Sequence, residues 1–185
     1  IIEKKKLEYE RDYDLLTNLP NRRAVYMSLQ QKFDRPDKLG LGAMIMLDLD
    51  NLKYINDTYG HDYGDAYIQC MAETLRKSRD KNVLISRVSG DEFIVFLYGF
   101  ESQDELYGAV GQIQQGILQA VLSLPGNEAY RLRASAGVAW YPKGAHSYEQ
   151  LIRYADFAMY QAKHTNKGSF HQFDLDSYRK GSYLL

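Results

Sequence analysis

Val83-Leu84-Ile85-Ser86-Arg87-Val88-Ser89-Gly90-Asp91-Glu92-Phe93-Ile94-Val95-Phe96-Leu97-Tyr98 places a β-branched-rich run and a nearly unbroken apolar run on either side of Ser89-Gly90. Two such runs joined by a Ser-Gly turn read as a β-hairpin. Asp91 and Glu92 then stand at its lip, where mutual repulsion and desolvation call for a cation, a ligand or a group of donors. An isolated acidic turn is more simply a solvated one, so a second acidic site decides the matter.

That second site ends another strand. Gly42 to Asp50 contains the continuous apolar run Ala43-Met44-Ile45-Met46-Leu47, the pattern of a central strand, and finishes in Asp48-Leu49-Asp50. Alternation puts Asp48 and Asp50 on one face and Leu49 on the other. Around these two strands the chain reads in order. Ile1 to Tyr13 is a charged helix with a thin apolar stripe. Pro20 ends an element and Asn21 caps a helix running to about Phe33. Asn51 to Tyr59 is a short helix with Leu52 and Ile55 inward, broken at Gly60-His61, and another begins near Gly64-Asp65. After the hairpin come a helix from Gln103 to Leu124, a break at Pro125-Gly126, a strand from Tyr130 to Trp140, a helix from Ser147 to His164 and a strand from Ser169 to Phe173.

This order predicts an α+β fold with a ferredoxin-like βαββαβ core, its helices on one face, plus an added N-terminal helix and a C-terminal helix and strand. The first strand lies centrally beside the hairpin, so Asp48 and Asp91 can meet. Residues 1–13 are expected to be a linker or signalling helix, 14–175 the domain and 176–185 a C-terminal extension.

With 185 residues, 45% hydrophobic and 25% charged, the chain suits one domain with a full core. A formal net charge of -1 gives no basic field for nucleic acid or a membrane surface, so an anionic ligand must be met by local donors. Cys70 is the single cysteine, no apolar run is long enough to span a bilayer, and a cytoplasmic, reducing compartment is expected. The opening isoleucine suggests a piece of something longer.

Five stretches resemble the GGDEF family of diguanylate cyclases, in order and over nearly the whole chain. They are Asp14 to Arg23 (D-x-L-T-x-L-P-N-R-R), Asp48 to Asp65 (with Leu52 where phenylalanine is usual), Arg87 to Phe93, Ser135 to Val138, and Ala155-Asp156 to Lys167. Serine stands at Ser89, where the name-giving motif has its first glycine. The resemblance implies a palm-like nucleotidyl cyclase fold and the condensation of two GTP into cyclic di-GMP across a homodimer, under an upstream sensory domain. With the near-zero net charge, no nucleic-acid partner and no direct membrane contact are expected.

Joining two GTP molecules needs a 3′-hydroxyl to attack an α-phosphate while pyrophosphate leaves, and the charge that builds on phosphate calls for magnesium or manganese. Magnesium takes hard oxygen ligands. Asp48 and Asp91 are the expected ligands; by resemblance the Leu49 carbonyl adds another, Glu92 shares in the site, and a signature acid, Asp91 or Glu92, serves as the base. Asn56 and Asp65 match the family's guanine readers, since a carboxylate accepts from both donors of guanine; helix capping is the alternative for Asp65. Lys163 and Lys167, four apart on a helix face, would hold the triphosphate, with a solvated pair as the alternative. Lys53, Ser89 and Gly90 complete the implied nucleotide contacts. Arg87 could pair with Glu92 or with phosphate. Asp80 and Val83 occupy the positions of the family's inhibitory R-x-x-D, which predicts no product clamp there. Two other readings stand beside the cyclase: a domain that binds GTP or dimerises without catalysis, and a cyclase of other specificity.

Overall fold

A computed structural model describes residues 1–77 and 82–181. The Asp80 position and the Arg76–Lys81 charge run beyond Lys77 therefore lie outside the described residues. In chain order the elements are α1 (Ile2–Asp12), α2 (Arg22–Phe33), β1 (Leu41–Leu49), α3 (Leu52–Tyr59), α4 (His61–Lys77), β2 (Val83–Arg87) and β3 (Glu92–Phe100). Then follow α5 (Gln103–Gln119), β4 (Val121–Leu124), β5 (Glu128–Arg131), β6 (Ala134–Tyr141), α6 (Tyr148–Thr165), β7 (Phe170–Gln172) and α7 (Leu175–Gly181).

The main sheet has the order β2-β3-β1-β6-β7. β1 runs antiparallel to both β3 and β6, and β7 alone is parallel to its neighbour. Four of these strands with α3, α4 and α5 make the expected βαββαβ core. Alternate residues of β1 feed two separate cores. Ala43, Ile45, Leu47 and Leu49 pack with α3, α4 and α5, while Met44 and Met46 pack with Val25 and Leu29 of α2 and Leu151, Ala155 and Met159 of α6. The face that the core helices leave open is thus covered by α2 and α6, which is why β1 reads as continuously apolar.

Asn21 caps α2 by accepting from the Ala24 N–H at 3.0 Å, and Ser147 caps α6 through Gln150. Gly137 is the close-approach point of α6 on β6, since a β-carbon there would run into the backbone of Ala155 and Met159. α1 has no buried residue, whereas Tyr178 of α7 packs edge-on against Tyr154, Phe157 and Phe173.

Three expectations need correction. The fifth helix stops at Gln119, and Val121–Leu124 instead pairs with Glu128–Arg131 as a small separate hairpin. The strand expected from Tyr130 to Trp140 is two strands, β5 and β6, belonging to different sheets. α4 begins at His61, three residues before Gly64, because the turn is made by Gly60 at φ 94° and Gly64 lies within the helix.

Candidate active site

The C-terminal end of β1 and the β2–β3 hairpin meet as the sequence predicts. Asp48 stands opposite Glu92 in the β1–β3 register, and the Leu49 N–H donates to the Asp91 carbonyl at 2.8 Å, so Asp91 lies beside the end of β1. Asp48, Leu49 and Asp91 line a cleft of about 510 Å³ together with Lys53, Lys163 and Lys167. Asp48 is 4% exposed, and Lys163 reaches it from the last turn of α6, Nζ to Oδ2 at 2.7 Å. Burial pushes the Asp48 carboxyl up to about 6; Lys163 pulls the other way, and the charges of Asp91 and Glu92 add to the rise. Burial disfavours the Lys163 ammonium too, yet Asp48 more than offsets this and its pKa lies above the usual lysine value. Asp48 is the more deeply buried partner, so it bears the larger desolvation cost.

Among the described residues no group of three or more His, Cys, Asp or Glu side chains is gathered as a metal cage. Two carboxylates and a main-chain carbonyl nevertheless suit magnesium, which keeps several waters and draws remaining ligands from substrate phosphates. The buried Asp48, already answered by a cation, fits a position that needs one.

The two acids that share a face of β1 have different partners. Asp50, 2% exposed, accepts from Ser135 Oγ at 2.8 and 3.1 Å, and the same oxygen accepts the Gly168 N–H at 3.0 Å. Asp50 therefore ties β1 to β6 and to the loop after α6. Tyr67, which its helical stripe marks as core, also carries polar contacts: its hydroxyl donates to the Asp50 carbonyl at 2.9 Å and accepts the Arg133 N–H at 3.2 Å. Periodicity identifies such a residue as buried and cannot reveal where its hydroxyl goes.

Other expected site residues divide by location. Asn56 packs its amide against Gly64 on α4, directly before Asp65. Asp65 is exposed in the interior of α4, so the capping alternative falls away. Neither residue lines the acidic cleft. Lys167 does, but from the loop beyond Thr165 rather than from a shared helix face, and its carbonyl accepts from Arg133 at 2.9 Å. Lys53 sits at the rim, paired with Asp57 at 2.7 Å. Ser89 and Gly90 open onto a neighbouring recess with Arg22, Arg23 and Arg87.

Arg87 pairs with Asp14 rather than with Glu92. Its guanidinium donates to both Asp14 carboxylate oxygens at 3.1 and 3.2 Å and to the Gly90 carbonyl at 2.8 and 3.1 Å. Asp14 also accepts from the Thr17 N–H and hydroxyl. The turn before α2 is thereby fastened to the hairpin tip. Ser89 is not among the residues with positive φ, so a β-carbon at the first signature position carries no left-handed strain.

Residues 11–169 match the family profile described as "Diguanylate cyclase, GGDEF domain". The chain belongs to the GGDEF family. Diguanylate cyclase DgcP of Escherichia coli (strain K12) is 35% identical over 159 residues, 85% of this chain and 46% of that protein. An uncharacterized protein of Mycobacterium tuberculosis is 35% identical over 171 residues, 92% of this chain and 27% of its own length. The chain thus spans less than half of either relative. The solved GGDEF domain of TpbB (YfiN) from Pseudomonas aeruginosa superposes with a TM-score of 0.83 at 30% identity, covering 92% of this chain and 99% of that one. Among the described residues of this GGDEF domain, no helix is long and apolar enough to cross a membrane.

Proposed function

We propose that this GGDEF domain is a diguanylate cyclase, condensing two GTP into cyclic di-GMP with release of pyrophosphate. The observation that carries the reading is the convergence of Asp48, Asp91 and Lys163 in one cleft at the end of β1. In the proposed site Asp48, Asp91 and the Leu49 carbonyl hold magnesium or manganese, which would offset charge on the phosphates when bound. Lys163 and Lys167 hold triphosphate oxygens, with Lys53 at the rim. Asn56 and Asp65 read guanine, and Ser89-Gly90 lets the hairpin backbone approach the nucleotide. Asp91 or Glu92 takes the proton of the 3′-hydroxyl. The unstrained Ser89 supports turnover despite the altered signature.

One domain presents one nucleotide, so the two new phosphodiester bonds require a second copy facing the first. Residues 14–175 form the catalytic unit in this reading, 1–13 link it to an upstream sensory domain, 176–185 extend it, and the whole works in the cytoplasm. The test is to incubate a longer form of the protein with GTP and magnesium and identify the product by mass. Cyclic di-GMP is the expected product; bound but unconsumed GTP would make the domain a binding module, and a product from ATP would reassign its specificity. With Asp80 and Val83 at the inhibitory positions, calorimetry should find no tight product binding that depends on residues 79–83.

A further inference from the structure

We infer that Lys163 keeps the metal site closed to free divalent cations and yields Asp48 only when a nucleoside triphosphate arrives to take over its ammonium group. This rests on the reading of Asp48 as a ligand given above. Asp48 is almost wholly buried, and its Oδ2 already holds the Lys163 Nζ at 2.7 Å. A cation arriving alone must displace that ammonium and leave it partly buried beside another positive charge, which is an unfavourable exchange. Asp50 and Asp91 also act on Lys163, but Asp50 is committed to Ser135 and Asp91 is a proposed ligand of the same cation. Asp156, seven positions earlier on α6, acts on the lysine through charge alone, whereas Asp48 hydrogen-bonds it.

The helix offers no other way out. α6 is seated on β6 at Gly137, where its backbone makes the closest approach, so Lys163 can leave Asp48 only by swinging its side chain. A triphosphate changes the balance on both sides. Its oxygens accept from Lys163 in the cleft that Lys163 shares with Lys167, and they supply further hard ligands to the cation. Metal and nucleotide therefore bind with positive coupling, and linkage makes that coupling equal in both directions. Lys163 acts in both states, first as the cation that neutralises Asp48 and then as a phosphate donor.

The experiment is a titration with manganese alone, read by the electron paramagnetic resonance of the free ion, repeated in the presence of GTP. Lys163→Met and Lys163→Gln should bind manganese alone about tenfold more tightly than the parent, within the usual range of such couplings. Lys163→Arg should stay near the parent. Lys167→Met should also stay near it, because Lys167 lines the cleft without touching Asp48. GTP should tighten manganese binding more in the parent than in Lys163→Met. Thermal unfolding identifies any variant that has lost its fold, and the Met and Gln replacements stand in for one another. Unchanged affinity for manganese alone in the folded Met and Gln variants would overturn the inference. Equal tightening in Lys167→Met would do the same, by reducing the effect to general positive potential. A chain that gives the expected manganese results but makes no cyclic dinucleotide would remove the cyclase reading and leave this one standing.

Discussion

Asp48 is an acid held where its charge is expensive, and this gives the metal-free protein a pH signature. Its carboxyl is raised from 3.8 to about 6, so the folded chain binds the proton more tightly than the unfolded chain does. The stability this contributes is complete below the unfolded value and is lost as pH rises through the folded one. In chelator, urea unfolding should show the parent losing about 2–3 kcal/mol relative to Asp48→Asn between about pH 4 and pH 7. Parallel curves for the two proteins would contradict the burial argument. Asp65 belongs to the opposite case, an exposed acid whose removal should leave stability almost unchanged. If it reads guanine, Asp65→Ser should lower the preference for GTP over ATP by roughly ten- to a hundredfold, the worth of a charged hydrogen-bond pair. Undiminished discrimination would take Asp65 out of the base site.

At the scale of elements, the candidate cleft depends on how α6 meets β6 and how the hairpin meets the turn before α2. Gly137 permits the first contact, because any β-carbon there strikes the backbone of α6. Gly137→Ala should therefore cost about 1–3 kcal/mol of unfolding free energy through overpacking, and should reduce turnover by moving Lys163 from Asp48. A variant as stable as the parent would mean that α6 can shift at no cost. The second contact runs through Arg87, which reaches Asp14 across 73 positions of sequence and also holds the Gly90 carbonyl. The D-x-L-T turn thus braces the signature hairpin. The over-long helix prediction has its reason at this scale too. Val121–Leu124 is too short to distinguish from a helical turn by periodicity, and only pairing with Glu128–Arg131 holds it extended.

For the whole molecule, the proposed reaction turns on how often two GGDEF domains meet. Net charge is -1, which neither drives nor opposes their approach, and α1 buries none of its residues in this chain. In the proposed dimer, the coiled-coil partner of α1 would be the same helix of a second copy. If each copy brings one GTP, the rate of the isolated chain should rise with the square of protein concentration at low protein. Fusion to a dimeric coiled coil should remove that dependence by raising the effective concentration to the order of millimolar. A rate simply proportional to protein, from a chain monomeric by light scattering, would rule out this pairing.

The sequence by itself determined the order of the core elements, the central place of β1, the cap at Asn21 and the family. These are written in local signals: an unbroken apolar run, an Asn after Pro, and acids at fixed spacing from turn residues. It also put Asp48 and Asp91 within reach of each other, because a strand and a hairpin have few ways to pair. What the tertiary structure decided were the partners of polar side chains. Asp48 and Asp50 are equivalent by alternation, yet one faces Lys163 and the other Ser135. Arg87 takes Asp14 rather than Glu92, and the hydroxyl of Tyr67, a residue that reads as plain core, bridges Asp50 just after β1 and Arg133 just before β6. Periodicity records which face a side chain occupies, whereas a hydrogen-bond partner depends on what a distant element brings to that face, and no local pattern encodes that distance.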